Sequence, residues 1–282
     1  MSTRKKLVGK SHALTHKNRK KIKYNLTVFP VSKSKPNIVW ITLINKGYVN
    51  FTKNFIESMK RNDCIFPLIV YCTDNDSMTA LKHYSNITCI DASPFLKHKM
   101  PEKFSKWGQM EYKYICFAKL DAIKFALTQY KDSYIGYIDT DIIVLKNPEK
   151  TIMNAFTLNP KAVFVSQCDE NRLHCSNLQN CPSICTGLII FKNISMVNKL
   201  LNYTDHHVKT MSSDQEFIQR KAKKYKTKHV TIERNIFLNG LFPGVNNDTL
   251  LKLPCTAELV HFNYLKGNQK IVQMKKNKMW YI

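Results

Sequence analysis

The stretch Tyr134-Ile135-Gly136-Tyr137-Ile138-Asp139-Thr140-Asp141-Ile142-Ile143-Val144-Leu145 decides how the rest of the chain is read. Its first five residues make a short apolar run of the length and type expected of a buried strand. That run ends in two carboxylates one residue apart. In an open α/β sheet the functional crevice lies outside the carboxyl ends of the strands, so Asp139 and Asp141 are expected to face it. Two such acids can reach one hard divalent cation that prefers oxygen ligands. Burying both without a partner would be costly, and a cation between them removes that cost. A plainer alternative has the pair capping a helix that starts near Asn147-Pro148.

Outward from this stretch the chain alternates β and α signals. Residues 37–44, 66–73 and 87–90 read as strands, and residues 52–61 and 74–84 as helices, the second opened by Asp and Ser residues able to cap it. A loop over 92–108 leads to a long helix near 109–129 whose inward face is predicted to be Ile115, Ala118, Ala122, Phe125 and Ala126. The second half is less regular, with strands near 162–167, 186–191 and 258–263 and helices near 195–202 and 214–223. There is no internal repeat. This order predicts an α/β fold with a Rossmann-like, doubly wound sheet flanked by helices.

The 282 residues are 44% hydrophobic, enough to bury a sizeable core, and carry a formal charge of +24. Only six of the 44 basic residues are Arg, the side chain best suited to bidentate contacts with bases and phosphates, so the excess argues weakly for specific nucleic-acid reading. Residues 1–36 hold eleven basic residues and no acidic one, and are expected to form a disordered basic arm. That arm is either simply solvated or docks on RNA, an anionic membrane or an acidic partner. The longest apolar run, residues 38–44, is far short of the roughly 20 residues of a membrane helix, so no transmembrane segment is expected. With no apolar stretch behind Arg4 to act as a secretory signal, the expected compartment is the cytoplasm, that of the host or the virion for a viral chain. Cytosolic cysteines stay reduced, so the nine here are expected to be mostly buried thiols. Cys168, Cys175, Cys181 and Cys185, with His174 nearby, are spaced more loosely than structural zinc pairs; plain thiols are expected, an isolated disulfide or zinc being the alternatives.

The Asp139-Thr140-Asp141 segment, with the apolar tetrad and Asn147-Pro148 behind it, resembles the Asp-x-Asp segment of nucleotide-diphospho-sugar glycosyltransferases of GT-A fold, such as the glycogenin-like enzymes. Four more segments resemble that family in the same order. Lys119 matches a basic residue near the donor nucleotide, and Cys185-Thr186-Gly187-Leu188-Ile189-Ile190-Phe191 looks like the strand lining the sugar pocket, with Cys185 where the family usually has Asn. Ser213-Asp214-Gln215 resembles an Asp-Gln pair at a helix start. His261-Phe262-Asn263-Tyr264-Leu265-Lys266-Gly267, followed by Lys270 and Trp280, is similar to the closing His-x-Asn, Gly, Lys, Trp segment.

The resemblance implies a single GT-A domain over residues 37–282 that transfers a hexosyl or pentosyl group from a nucleotide diphosphate, above all UDP, to a hydroxyl of a protein or glycan acceptor. It implies retention of anomeric configuration by front-face displacement. It also implies Mn²⁺ (or Mg²⁺) held by Asp139, Asp141 and His261, donor contacts from Lys119, Asp139, Gly187, Gly267 and Lys270, and catalytic roles for Asp214 and Gln215. Three of these have a plainer alternative: His261 a buried hydrogen-bonded histidine, Asp214 a helix N-cap, Lys270 a solvated charge. Two other functions stay open, a basic nucleic-acid-binding protein and a two-metal nuclease that adds Asp121, Asp169 and Asp214 to the paired acids.

Overall fold

The apolar run Ile38–Ile44 forms β1, buried along nearly its whole length at the middle of the larger of two sheets. The structure is a computed structural model that describes residues 38–101, 105, 108–170 and 183–282. The basic arm, and His174, Cys175 and Cys181, lie outside the described residues.

After β1 come a 3₁₀ turn (Lys46–Tyr48), α1 (Val49–Arg61), β2 (Leu68–Cys72), α2 (Asn75–Leu81) and β3 (Ile87–Asp91). Asp74 caps α2 as its type suggests, its carboxylate accepting from the Ser77 amide at 2.8 Å. Next are α3 (Met110–Gln129), β4 (Tyr134–Ile138), β5 (Ile142–Val144), α4 (Glu149–Leu158), β6 (Phe164–Cys168) and β7 (Ile184–Phe191). The rest consists of α5 (Ser195–Leu201), α6 (Asp205–Thr210), α7 (Asp214–Lys224), β8 (His229–Ile232), β9 (Phe237–Leu238), β10 (Leu259–His261) and α8 (Asn268–Lys276).

The large sheet has the order β3-β2-β1-β4-β7-β6-β8. Its first four strands are mutually parallel, β7 runs antiparallel to both β4 and β6, and β8 is parallel to β6. The chain therefore winds to one side of β1 for β2 and β3 and to the other for β4. That reversal opens a crevice at the carboxyl ends of β1 and β4. A second sheet, β5-β10-β9, lies beyond the end of β4.

Two readings change. Residues 142–144, part of the apolar tetrad to which the sequence assigns no element, are a strand, β5, paired antiparallel with β10. Helix α1 supports its edge: the Val144 amide donates to Ser58 Oγ at 3.0 Å, and Asn62 Nδ2 donates to the Val144 carbonyl at 2.9 Å. The second correction concerns α3. It buries Ala118, Ala122 and Ala126 as expected, but Ile115 and Phe125 are only half-buried, and Cys116, Lys119, Leu120, Ile123 and Leu127 are buried as well. The helix is enclosed because it packs on β1 and β4 on one side and on α5, α6 and α7 on the other.

The core between sheet and helices is closely filled at Gly136. A Cβ placed there would meet Ile38 Cγ2 and Trp40 Cε3, both at 2.8 Å, on the neighbouring strand. Gly136→Ala is expected to lose about 1–3 kcal/mol by overpacking, read as a lower urea midpoint at unchanged slope. An unchanged midpoint would show that the β1–β4 contact is looser than described.

Candidate metal centre and substrate cleft

The turn after β4 carries Asp139, Thr140 and Asp141 from the large sheet into the small one. Its ends are fixed by backbone: the Asp139 amide donates to the Gly187 carbonyl at 2.7 Å, and the Phe262 amide donates to the Asp141 carbonyl at 3.1 Å. The register of β10 on β5 sets His261 opposite Ile142, and so beside Asp141. His261 Nε2 lies 3.2 Å from Asp141 Oδ1 and 3.9 Å from Asp139 Oδ2. One ligand atom from each of the three side chains falls within 4.8 Å of the others, and among the described residues they are the one such group of His, Cys, Asp and Glu. Two carboxylate oxygens and an imidazole nitrogen suit Mn²⁺ and tolerate Mg²⁺ less well. The residues present therefore fit a divalent cation.

Neither acid caps a helix: α4 starts at Glu149 behind Pro148, and the Glu149 amide donates to Asn147 Oδ1 at 2.9 Å. The cluster is instead neutralised by three basic groups. Lys270, one turn into α8, pairs with Asp141. It gets there because Gly267, with φ +50° and ψ −125°, makes the sharp entry to α8 in a conformation that favours glycine. Burial pushes the Asp141 carboxyl upward, but the charges of Lys270 and His261 outweigh this and hold it well below the usual carboxylate range. Burial disfavours the charged imidazole of His261, yet Asp141 raises its pKa to about 10.

The third basic group is Lys119 on α3. Its ammonium lies 3.6 Å from Asp139 Oδ1 and 3.4 Å from Asp214 Oδ2, donates to the Thr186 carbonyl at 3.3 Å and sits 4.7 Å from the Tyr137 ring centroid. Despite burial, these anionic neighbours keep its pKa well above the ordinary lysine value. Asp214 is not the N-cap of α7; Ser213 is, its hydroxyl accepting from the Glu216 amide. The buried Asp214 Oδ2 pairs electrostatically with Lys119 but accepts no hydrogen bond.

Next to Asp214, Gln215 donates to Asp169 Oδ2 at 2.7 Å, and Asn263 Nδ2 donates to Asp169 Oδ1 at 3.3 Å. Burial raises the Asp169 carboxyl against those hydrogen bonds. Asp169 entered the sequence reading only as a candidate nuclease acid, and Gln167 not at all. Asp121 is elsewhere, accepting from Tyr203 Oη at 2.7 Å and from the Lys97 amide at 3.0 Å, a structural use that removes it from any nuclease cluster. Cys168 is disulfide-bonded, against the expectation of a plain thiol, whereas Cys185 is a buried free thiol 3.7 Å from His261 Nδ1.

The cleft in front of the cluster runs along the ends of β1 and β4, between Asn45, Tyr48, Tyr112, Cys116, Lys119 and Lys270. Tyr48 and Tyr112 are residues the sequence reading missed, since an aromatic on a helix start or in a helix reads first as core. Asp139 is the most open of the acids, its side chain 32% exposed against 8% for Asp141. Gly187 forms the floor, where a Cβ would come within 2.3 Å of His261 Cε1 and 2.5 Å of Asp139 Oδ2.

No protein-family model and no curated protein matches the sequence. Solved structures match at low identity. The bifunctional glycosyltransferase WbbM, in its apo structure, aligns over 89% of this chain at 11% identity and a TM-score of 0.53. Mouse xyloside xylosyltransferase 1, apo form, aligns over 81% of this chain and 98% of its own at 10% identity and a TM-score of 0.53. The galactosyltransferase LgtC, in complex with donor and acceptor sugar analogs, aligns over 86% of this chain and 94% of its own at 9% identity and a TM-score of 0.51. The chain spans about half of the WbbM chain, 53% of it. These neighbours are GT-A glycosyltransferases, and the fold described here is theirs. Among the described residues no helix is long and apolar enough to cross a membrane.

Gly187→Ala is expected to push His261 and Asp139 apart and weaken Mn²⁺ binding about 10–100-fold, measured by the electron paramagnetic resonance signal of free Mn²⁺, while the far-ultraviolet circular dichroism stays unchanged. Wild-type affinity in that variant would mean the three side chains do not converge on one ion.

Proposed function

We propose that the protein is a metal-dependent glycosyltransferase that moves a hexosyl or pentosyl group from a nucleotide diphosphate, UDP in the first instance, to a hydroxyl of a protein or glycan. The observation that carries this is the convergence of Asp139, Asp141 and His261 over a glycine floor at the carboxyl end of β4. Lys119 and Lys270 flank it from two different helices. A bound Mn²⁺ (or Mg²⁺) would neutralise charge on a departing diphosphate. Asp139, Asp141 and His261 would hold that ion, with Asp139, the most exposed of the acids, also reaching the ribose.

The remaining residues supply the other needs of the reaction. Lys270 is close enough to exchange Asp141 for a phosphate oxygen, adding positive charge where negative charge develops. Gly267 and Gly187 let the backbone approach the donor closely, and Lys119 sets Asp139 and Asp214 in fixed relation to each other. The unsatisfied Asp214 oxygen suits a sugar hydroxyl. Gln215, anchored on Asp169, would present its amide near the anomeric carbon. Retention by front-face displacement, in which the leaving phosphate helps to deprotonate the acceptor, follows from the family resemblance. Xylosyl and galactosyl transferases both stand among the fold neighbours, so pentosyl and hexosyl donors are both in scope. Residues 37–282 would act as one catalytic domain, and residues 1–36, with eleven basic residues and no acidic one, would contact an anionic partner.

Purified protein with Mn²⁺ is expected to hydrolyse a UDP-sugar or transfer from it, and Asp141→Ala to lower the rate at least ~100-fold without loss of fold. Full activity in Asp141→Ala would remove the metal assignment. If no nucleotide sugar raises the melting temperature with Mn²⁺ present, the transferase reading fails.

A further inference from the structure

Gln167, buried near the end of β6, ties the two sheets together. Its Nε2 donates to the Phe237 carbonyl at 3.0 Å and the Leu238 carbonyl at 2.9 Å, both on β9. Its Oε1 lies 2.8 Å from Nδ1 of His261, on the adjoining β10. The register of β6 on β7 shifts between Ser166 and Gln167, the kind of irregularity that re-aims a side chain.

The amide is not free to turn over. Reversed, its oxygen would face two carbonyl oxygens, and both donors on its nitrogen would be lost to them. With Oε1 toward the ring, Nδ1 of His261 has to be the donor, because a carbonyl oxygen only accepts. In the neutral ring the lone pair is therefore on Nε2, the nitrogen 3.2 Å from Asp141 Oδ1 and 3.9 Å from Asp139 Oδ2. Cys185 Sγ, 3.7 Å from Nδ1, is a weak acceptor and a poor substitute.

We propose that Gln167 is a positioning residue: by accepting from Nδ1 it selects the Nδ1–H tautomer of His261 and so presents Nε2 to a divalent cation shared with Asp139 and Asp141. Second partners of this kind orient metal-bound histidines generally. The inference rests on the proposed metal site but not on any sugar or nucleotide.

Two measurements on the full chain test it. In wild-type protein loaded with diamagnetic Zn²⁺, long-range ¹H–¹⁵N correlation spectra are expected to show the His261 proton on Nδ1 and slow to exchange; a proton on Nε2, or coordination through Nδ1, overturns the proposal without needing any variant to fold. In Gln167→Leu, with fold checked by circular dichroism, the Mn²⁺ dissociation constant is expected to rise about 10–100-fold and the Nδ1 proton to exchange rapidly. Wild-type affinity and exchange in that variant overturn it. Wild-type protein that binds neither ion overturns this proposal and the metal-dependent reading together. Wild-type protein that binds Mn²⁺ as the Nδ1–H tautomer yet acts on no nucleotide sugar refutes the transferase reading alone.

Discussion

The ammonium of Lys119 sits in the middle of a helix enclosed on both sides, where an uncompensated charge would be strongly destabilising. Its partners come from distant places in the chain: Asp139 from the end of β4, Asp214 from the start of α7, and the Thr186 carbonyl from β7. Each needs the others. Without Lys119 the two carboxylates would repel across the cleft, and without them the lysine could not stay charged at that depth. The pairing fixes α3, α7 and the turn after β4 relative to one another, and α3 and that turn form part of the wall of the cleft.

The second constraint is the way one turn joins two sheets. Ile138 ends a strand of the large sheet and Ile142 begins one of the small sheet, so only Asp139, Thr140 and Asp141 lie between. Such a short link leaves the acids little freedom, and β10 then delivers His261 by strand register rather than by a flexible loop. The C-terminal segment is held in turn by α1. Asn54 donates to the Met279 carbonyl at 3.0 Å and accepts from the Tyr281 amide at 2.6 Å, and Trp280 packs edge-on against Phe51. That docking keeps α8, and with it Lys270, over the paired acids.

The parts of this arrangement legible in the sequence were those whose signal is local. β4 announces itself by an apolar run of strand length, and the acids by standing directly after it. β10 falls within the strand read at 258–263, but its partners β5 and β9 have three and two residues, too few for any period, so the small sheet could not be read as a sheet. The inward face of α3 was read as a stripe because a stripe is what an amphipathic helix shows, whereas α5, α6 and α7 cover its second side and so enclose Lys119. Gln167 was invisible for a related reason. A polar residue at the end of a strand is ordinary, and its meaning comes from His261, 94 positions along the chain.

One consequence follows from the number of charges in the cleft. Asp139, Asp141 and Asp214 stand against Lys119, Lys270 and His261, so with the imidazole protonated the formal charges sum to zero. A dication bound through Nε2 of His261 would displace the imidazolium proton, so entering alone it would leave an excess of one positive charge, and it would first have to detach the Lys270 ammonium from Asp141. A dication arriving with an anionic diphosphate brings its own counter-charge, and the freed ammonium has somewhere to go. In the proposed reaction the cation and the diphosphate would therefore be linked by electroneutrality, each making room for the other, and by reciprocity the affinity of either would depend on the presence of the second.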